Sequence, residues 1–260
     1  MNFFFQSKIF DNLNKYLTKK IFKFLKVFFV ETNLKEFPDT NYPLRNIDED
    51  LKSSKEFFSN KNLPYMSYSH LPHLLEMIYQ SQDKLVFYDY GGGNLNLYYY
   101  LNDKFNKILY YFKDQVAIEE RVEKIRKNDG LENLTIGHTN NIPNIDILYF
   151  GSSLQYIKKY KEKLSYFFKR SKYILIAQTP FFQNEQLNEI IVMKQINMHP
   201  NINYLYLFNF DYFVEFMNKN NYQLVEKNTN RVTKFLNFKN FNKKKYKNID
   251  MYDLLFKLKK

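Results

Sequence analysis

The most constraining stretch of the chain is Lys84-Leu85-Val86-Phe87-Tyr88-Asp89, a short continuous apolar run that meets Gly91-Gly92-Gly93 almost at once. A strand buried on both faces reads this way, because alternation is lost when neither side meets water. The chain has six glycines, and half of them stand in that tripeptide. Glycine there lets the backbone bend sharply and approach a ligand with no Cβ in between. A doubly buried strand ending in a glycine turn belongs to an open α/β sheet with helices on both faces, whose ligands sit at the carboxyl ends of the strands.

Downstream, strands and helices alternate. Ile108–Phe112 is a second strand, Val116–Lys127 a helix stopped by Asp129-Gly130, and Leu134–Gly137 a short third strand. Ile145–Phe150 is the fourth, followed by a helix over Ile157–Phe168, and Tyr173–Ala177 is the fifth, ended by Thr179-Pro180. This spacing implies parallel pairing through right-handed crossovers. After a helix near Asp211–Lys219, strands near Tyr222–Lys227 and Tyr252–Leu258 follow each other without a helix between them. They close one edge of the sheet as an antiparallel hairpin.

Residues 1–65 precede this series. Positions 1–30 read as a basic amphipathic helix, with Ile21, Phe24, Leu25 and Phe28 on one stripe and Lys19, Lys20, Lys23 and Lys26 largely off it. Such a stripe fits either the body of the protein or an anionic membrane surface. Residues 31–64, broken by Pro38, Pro43 and Pro64, form a connector with one short helix, Asp48–Phe58. The expected division is therefore an N-terminal helix and connector, 1–65, outside the sheet, and a ligand-binding domain, 66–260.

The net charge of +12 would fit nucleic acid or a membrane, but Lys, Asn, Ile, Tyr and Phe are abundant together, as in a protein encoded by an AT-rich genome. Only Lys8 to Lys26 and Lys243-Lys244-Lys245 with Lys247 cluster. The absence of cysteine rules out disulfides, thiolate metal sites and cysteine nucleophiles, and His70, His73, His138 and His199 show no metal-ligand spacing, so no metal is expected. No apolar run reaches the roughly 18 residues of a spanning helix and no signal-peptide pattern opens the chain, which makes the cytoplasm the expected location, with peripheral contact at the inner membrane through the basic helix.

The chemistry concentrates at strand ends. Asp89 stands just before the glycine turn, where a carboxylate suits a cationic or hydrogen-donating ligand better than a pyrophosphate, which prefers bare amides and a helix N-terminus. Asp114 follows the second strand, about 20 residues past the glycines, where an acid accepts both hydroxyls of a ribose; it also fits the N-cap of the helix that begins near Val116.

Asp-Tyr-Gly-Gly-Gly at 89–93, Lys-Asp-Gln at 113–115, Gly-Ser-Ser-Leu-Gln-Tyr-Ile at 151–157 and Gln-Thr-Pro-Phe at 178–181 together resemble the class I, Rossmann-like S-adenosylmethionine-dependent methyltransferases. Within these, the chain looks similar to a bacterial group of methyltransferases with the Ser-Ser-Leu-Gln-Tyr segment after strand four. The resemblance covers about Lys84 to Lys260. It implies a doubly wound, mostly parallel seven-stranded sheet with one antiparallel strand, and S-adenosylmethionine as cofactor. Asp89, Gly91 and Gly93 would cradle its methionine part, with Tyr90 and Gly92 of the same turn also binding the cofactor, Asp114 would hold its ribose, and Ser152 and Ser153 would line the site near the sulfonium. Asn140 or Asn141 would face the adenine. Family members usually carry a third glycine where this chain has Leu95, a residue that either packs the helix on the sheet or narrows the pocket.

Methyl transfer from a sulfonium is an in-line displacement, so positioning supplies most of the acceleration, and no catalytic base is assigned. Gln155 and Tyr156 stand in the loop that would contact an acceptor; His199 stands in an insertion after strand five. The expected acceptor is a small molecule or saccharide. A nicotinamide-dependent oxidoreductase and a catalytically silent homologue are the alternatives, and the absence of an Asn-Pro-Pro-Tyr-type segment after strand four argues against nucleic acid.

Overall fold

The computed structural model describes residues 29–39, 84–105, 107–137, 142, 144–184, 188–196, 202–229 and 247–259, together with helical backbone at Leu17, Lys20, Ile21 and Phe24. Ten strands are described: β1 (Phe29–Thr32), β2 (Leu85–Tyr90), β3 (Ile108–Lys113), β4 (Leu134–Ile136), β5 (Ile145–Gly151), β6 (Ser171–Gln183), β7 (Ile190–Gln195), β8 (Asn203–Asn209), β9 (Tyr222–Thr229) and β10 (Lys247–Leu258). Four helices accompany them: α1 (Asn96–Lys104), α2 (Val116–Asp129), α3 (Tyr160–Phe167) and α4 (Phe210–Lys219).

The strands form one sheet. Its main body runs β4-β3-β2-β5-β6-β10-β9, in which the first five are mutually parallel and β10 is antiparallel to both neighbours. This is the doubly wound, mostly parallel arrangement with the antiparallel closing hairpin expected from the sequence. Seven strands do not complete it. β7 pairs antiparallel with β1 on one side and β8 on the other, and β8 joins the far end of β6, Phe181 and Phe182 lying beside Phe208 and Asn209.

Two sequence expectations are corrected here. Residues before Tyr65 do enter the sheet, because β1 pairs with β7, Phe29 opposite Gln195. The ring of Phe37 then stacks on Tyr206 at 4.5 Å, and Asp39 pairs with Lys158 at 2.9 Å. Likewise, Thr179-Pro180 does not end the fifth strand, which continues as β6 to Gln183. At Ala177 the ladder with β5 runs out, and Gln178 turns through a left-handed backbone (φ +52°). The N–H of Gln178 donates to Asp253 Oδ1 at 2.8 Å, where the pairing with β10 shifts register. Proline is tolerated beside such an irregularity, since it has no N–H to give to a ladder.

Helices cover both faces. Leu97, Leu101, Ile118 and Val122 of α1 and α2 bury against Phe87, Tyr110, Phe112 and Tyr149, while Leu164, Phe167, Phe213 and Met217 of α3 and α4 bury against Tyr88, Leu148, Ile174 and Leu254. Gly130 stops α2 in the left-handed conformation (φ +64°) that most side chains avoid. Many core rings are tyrosines, and their hydroxyls find acceptors: Tyr222 donates to the Ser171 carbonyl (2.6 Å) and Tyr206 to the Lys158 carbonyl (2.9 Å). At the opposite end of the strands from the glycine turn, buried Asp146 accepts from the Val86 N–H (2.8 Å) and from Lys172 (2.7 Å), pinning β2, β5 and β6 in register.

Candidate functional site

β2, β3 and β5 are parallel neighbours, so their carboxyl ends come together. All eight positions predicted as site residues lie there: Asp89 to Gly93 after β2, Asp114 after β3, and Ser152 and Ser153 after β5.

The glycine turn is fitted closely on its inner side and open on its outer side. A Cβ on Gly91 (φ +79°) would meet Ser153 Cβ at 2.4 Å, and one on Gly92 would meet the Phe112 ring at 2.4 Å and Asp89 Oδ2 at 2.7 Å. A Cβ on Gly93 (φ +63°) would meet nothing within 4 Å. The residue that departs from the family pattern, Leu95, is 1% exposed and packs in the core beneath α1, the first of the two roles open to it from sequence.

Asp89 is 2% exposed. Its Oδ2 accepts from the Tyr110 hydroxyl at 2.5 Å, while its Oδ1 is buried with no hydrogen-bond partner among the described residues. Burial pushes its carboxyl up to about 7; the Tyr110 bond opposes that rise and the charge of Asp114 adds to it. A buried acceptor left unpaired is costly, and a ligand that brings a donor or a positive charge relieves it.

Asp114 is raised by burial too, against the amides that hold its charge. Its Oδ2 accepts from the Gly93 N–H (2.7 Å) and its Oδ1 from the Gln115 N–H (2.7 Å). The residue at the cap of α2 is Gln115, and no side chain accepts from the first turn there, so Asp114 braces the glycine turn rather than capping the helix. Glu119 accepts the Asp114 N–H (2.9 Å) and pairs with Lys113 (2.7 Å), which fixes the end of β3. The Tyr90 ring packs on Phe150 and Phe167, and its carbonyl, rather than its side chain, serves the turn, accepting from Ser153 Oγ at 2.6 Å.

After β5 the arrangement changes. Ser152 is left-handed (φ +54°) although it is not glycine, and its N–H donates to the Ala177 carbonyl (2.9 Å). Gln155, 2% exposed, joins this turn to β6: its Nε2 reaches Ser152 Oγ (3.2 Å) and the Gln178 carbonyl (3.4 Å), and its Oε1 accepts from Thr179 Oγ1 (3.3 Å). Gln155 is thus committed inward and does not offer its amide to an acceptor. Tyr156 packs against the apolar face formed by Phe182, Met193 and Leu207. His70, His73, His138, His199, Asn140 and Asn141 lie outside the described residues, as does the predicted helix over Asp48–Phe58.

Tyr110 and Asp253 complete the site and carry no motif; Gln178 and Thr179 stand in the Gln-Thr-Pro-Phe segment, to which the sequence assigned no role. Tyr110 reaches Asp89 only because β2 and β3 pair with Phe87 beside Tyr110, which puts the carboxylate two residues further along the same face. Only strand register, absent from a single sequence, could have identified it.

No protein-family model matches the sequence, and no curated protein does. Solved structures match in fold. A 1,6-didemethyltoxoflavin-N1-methyltransferase of Burkholderia thailandensis, holding 1,6-didemethyltoxoflavin and S-adenosylhomocysteine, superposes with a TM-score of 0.52 at 10% identity, over 85% of this chain and 94% of that one. An S-adenosylmethionine-dependent methyltransferase of Clostridium acetobutylicum superposes with a TM-score of 0.51 at 11% identity, over 82% and 99%. The chain has the Rossmann-like fold of these methyltransferases.

Proposed function

We propose that the chain is an S-adenosylmethionine-dependent methyltransferase acting on a small-molecule acceptor, with saccharides the first class to try. The observation that carries this reading is the pair Asp89 and Asp114, at the ends of adjacent strands on either side of a glycine turn with open space over Gly93. The neighbour in Burkholderia, with S-adenosylhomocysteine and a small acceptor bound, supports it. The saccharide preference comes from the bacterial group that the Ser-Ser-Leu-Gln-Tyr segment resembles.

In this reading the unpaired Asp89 Oδ1 receives a donor from the methionine part of the cofactor, and the open backbone at Gly93 lets that part lie against the turn. Asp114 already holds the Gly93 amide; its remaining lone pairs accept the ribose hydroxyls. Ser152 and Ser153 form the side wall near the sulfonium. When bound, the cofactor supplies an electrophilic methyl group, and the residues around it position and desolvate the two reactants. The binding unit is residues 66–260, with β1 lent to its sheet by the segment 1–65.

Calorimetry with S-adenosylmethionine, S-adenosylhomocysteine and NAD tests the reading. Binding of the first two and not the third is expected. Binding of NAD alone would make the chain an oxidoreductase, and binding of none would make it a silent homologue.

A further inference from the structure

Leu17, Ile21 and Phe24 lie on helical backbone at the i, i+4, i+7 spacing of a single helix face. Their side chains are 48%, 54% and 86% exposed. A stripe of this kind ordinarily turns into a core; this one faces solvent. The surrounding sequence is one-sided in charge, since Lys15, Lys19, Lys20, Lys23 and Lys26 stand between Asp11 and Glu31 with no acidic residue among them. Phenylalanine and leucine at helical spacing with lysines off the stripe is the pattern of a helix that lies in a membrane interface. From Lys15 to Lys26 no more than three residues separate one lysine from the next, too short an apolar run to cross a bilayer, so the segment would rest on the surface.

The chain enters the sheet soon after the stripe. Phe29, five residues after Phe24, is 1% exposed and begins β1, which is paired to β7. β7 and β8 join the sheet at the carboxyl end of β6, the end at which Asp89 and Asp114 stand. A second copy of this chain would bring five like charges against five, whereas an anionic bilayer accepts the rings and the lysines together.

We propose that the N-terminal helix is an interfacial anchor that lays Leu17, Ile21 and Phe24 into an anionic membrane surface, such as the cytoplasmic leaflet, and sets the candidate site at that surface. The proposal is independent of the methyltransferase reading. Its test is co-sedimentation of the full chain with phosphatidylcholine vesicles, with and without phosphatidylglycerol, alongside sedimentation velocity without lipid. The parent should bind the anionic vesicles at least about tenfold more than the neutral ones, and added salt should weaken it. Phe24→Asp should lower anionic binding by about tenfold or more. Lys20→Glu combined with Lys23→Glu should do the same, with melting temperatures and S-adenosylhomocysteine affinity unchanged in both variants. A parent that ignores both vesicle types would overturn the proposal, as would binding that Phe24→Asp leaves intact. So would a parent dimer in solution that Phe24→Asp converts to monomer, since a second copy would then cover the stripe.

Discussion

The turns that end β2 and β5 lie side by side and reach the left-handed region of the backbone by opposite means. After β2 the residues are glycines, because Ser153, Phe112 and Asp89 leave no room for a Cβ at positions 91 and 92. After β5 the left-handed residue is Ser152, held there by the Ala177 carbonyl and by Gln155, three residues further along the same turn. The two interlock, since Ser153 hydrogen-bonds the Tyr90 carbonyl and fills the space that a side chain at 91 would need. A turn whose backbone must be approached is left bare; a turn that presents side chains can be braced. Non-glycine residues keep such backbones only when their surroundings over-determine them.

The largest loss of stability expected from a substitution is at the bare turn. Gly92→Ala should destabilise the fold by about 3 kcal/mol or more, because the Cβ meets a buried ring and a buried carboxylate that have no space to retreat into. Denaturant unfolding measures it. A Gly92→Ala protein as stable as the parent would remove the claim that packing dictates glycine there.

Next comes Asp89. Its carboxyl is pushed from 3.8 up to about 7 in the fold, so the folded state holds its proton more tightly than the unfolded chain does. The contribution of this group to stability is therefore fully present below about pH 4 and is lost as pH rises to about 7, on the order of 4 kcal/mol in all. Asp89→Asn should flatten that part of the pH dependence of unfolding. Under the proposed function, S-adenosylhomocysteine, with its cationic amine, should bind more tightly as pH rises from 6 to 8 (roughly one unit either side of that value), and the Asn variant should lose the trend. An unaltered pH profile in the variant would show that Asp89 is not the titrating group.

Asp114→Ala should weaken S-adenosylhomocysteine binding by about 1.5–3 kcal/mol in calorimetry, through lost ribose contacts and a released Gly93 amide. Equal affinity in variant and parent would leave Asp114 a brace only. Gln155→Met keeps the shape of the braced turn and removes its hydrogen bonds, so a stability loss of about 1–2 kcal/mol is expected. No loss would mean that Ser152 needs no brace. Gly93→Ala should be the mildest change, about 1 kcal/mol from the positive φ alone, since the added Cβ enters open space. If it matched Gly92→Ala, the distinction between the fitted and open sides of the turn would fail.

What could be read from the sequence was local. The strand at Leu85, the acid and glycines after it, and the α2 helix with its Gly130 stop all follow from neighbouring residues. Parallel order follows from the alternation of strands and helices. The passage of β6 through Pro180 was hidden because it depends on Asp253, which the chain supplies far later to take the Gln178 amide. β1 was hidden for the same reason, since its partners are Val192 to Gln195, whereas β7 and β8 pair locally, Gln195 beside Asn203, inside a stretch read only as an insertion. Gln155 was recognised by place but its direction was not, because whether a loop side chain faces inward depends on the strand beneath it. Asp114 carried two readings, ribose ligand and helix cap, and only the structure removes the second, since Gln115 holds the cap position and the Asp114 carboxylate takes the Gly93 amide.

The placement of β1 also bears on how the molecule is made. Phe29 to Thr32 leave the ribosome early, yet their ladder partners, Val192 to Gln195, are synthesised only after most of the sheet. Until then β1 has no ladder partner among the described strands, and closing so long a loop is entropically slow. The N-terminal strand is therefore a late event in folding, and nascent chains released before Gln195 should be the species most prone to aggregate or to be captured by a chaperone.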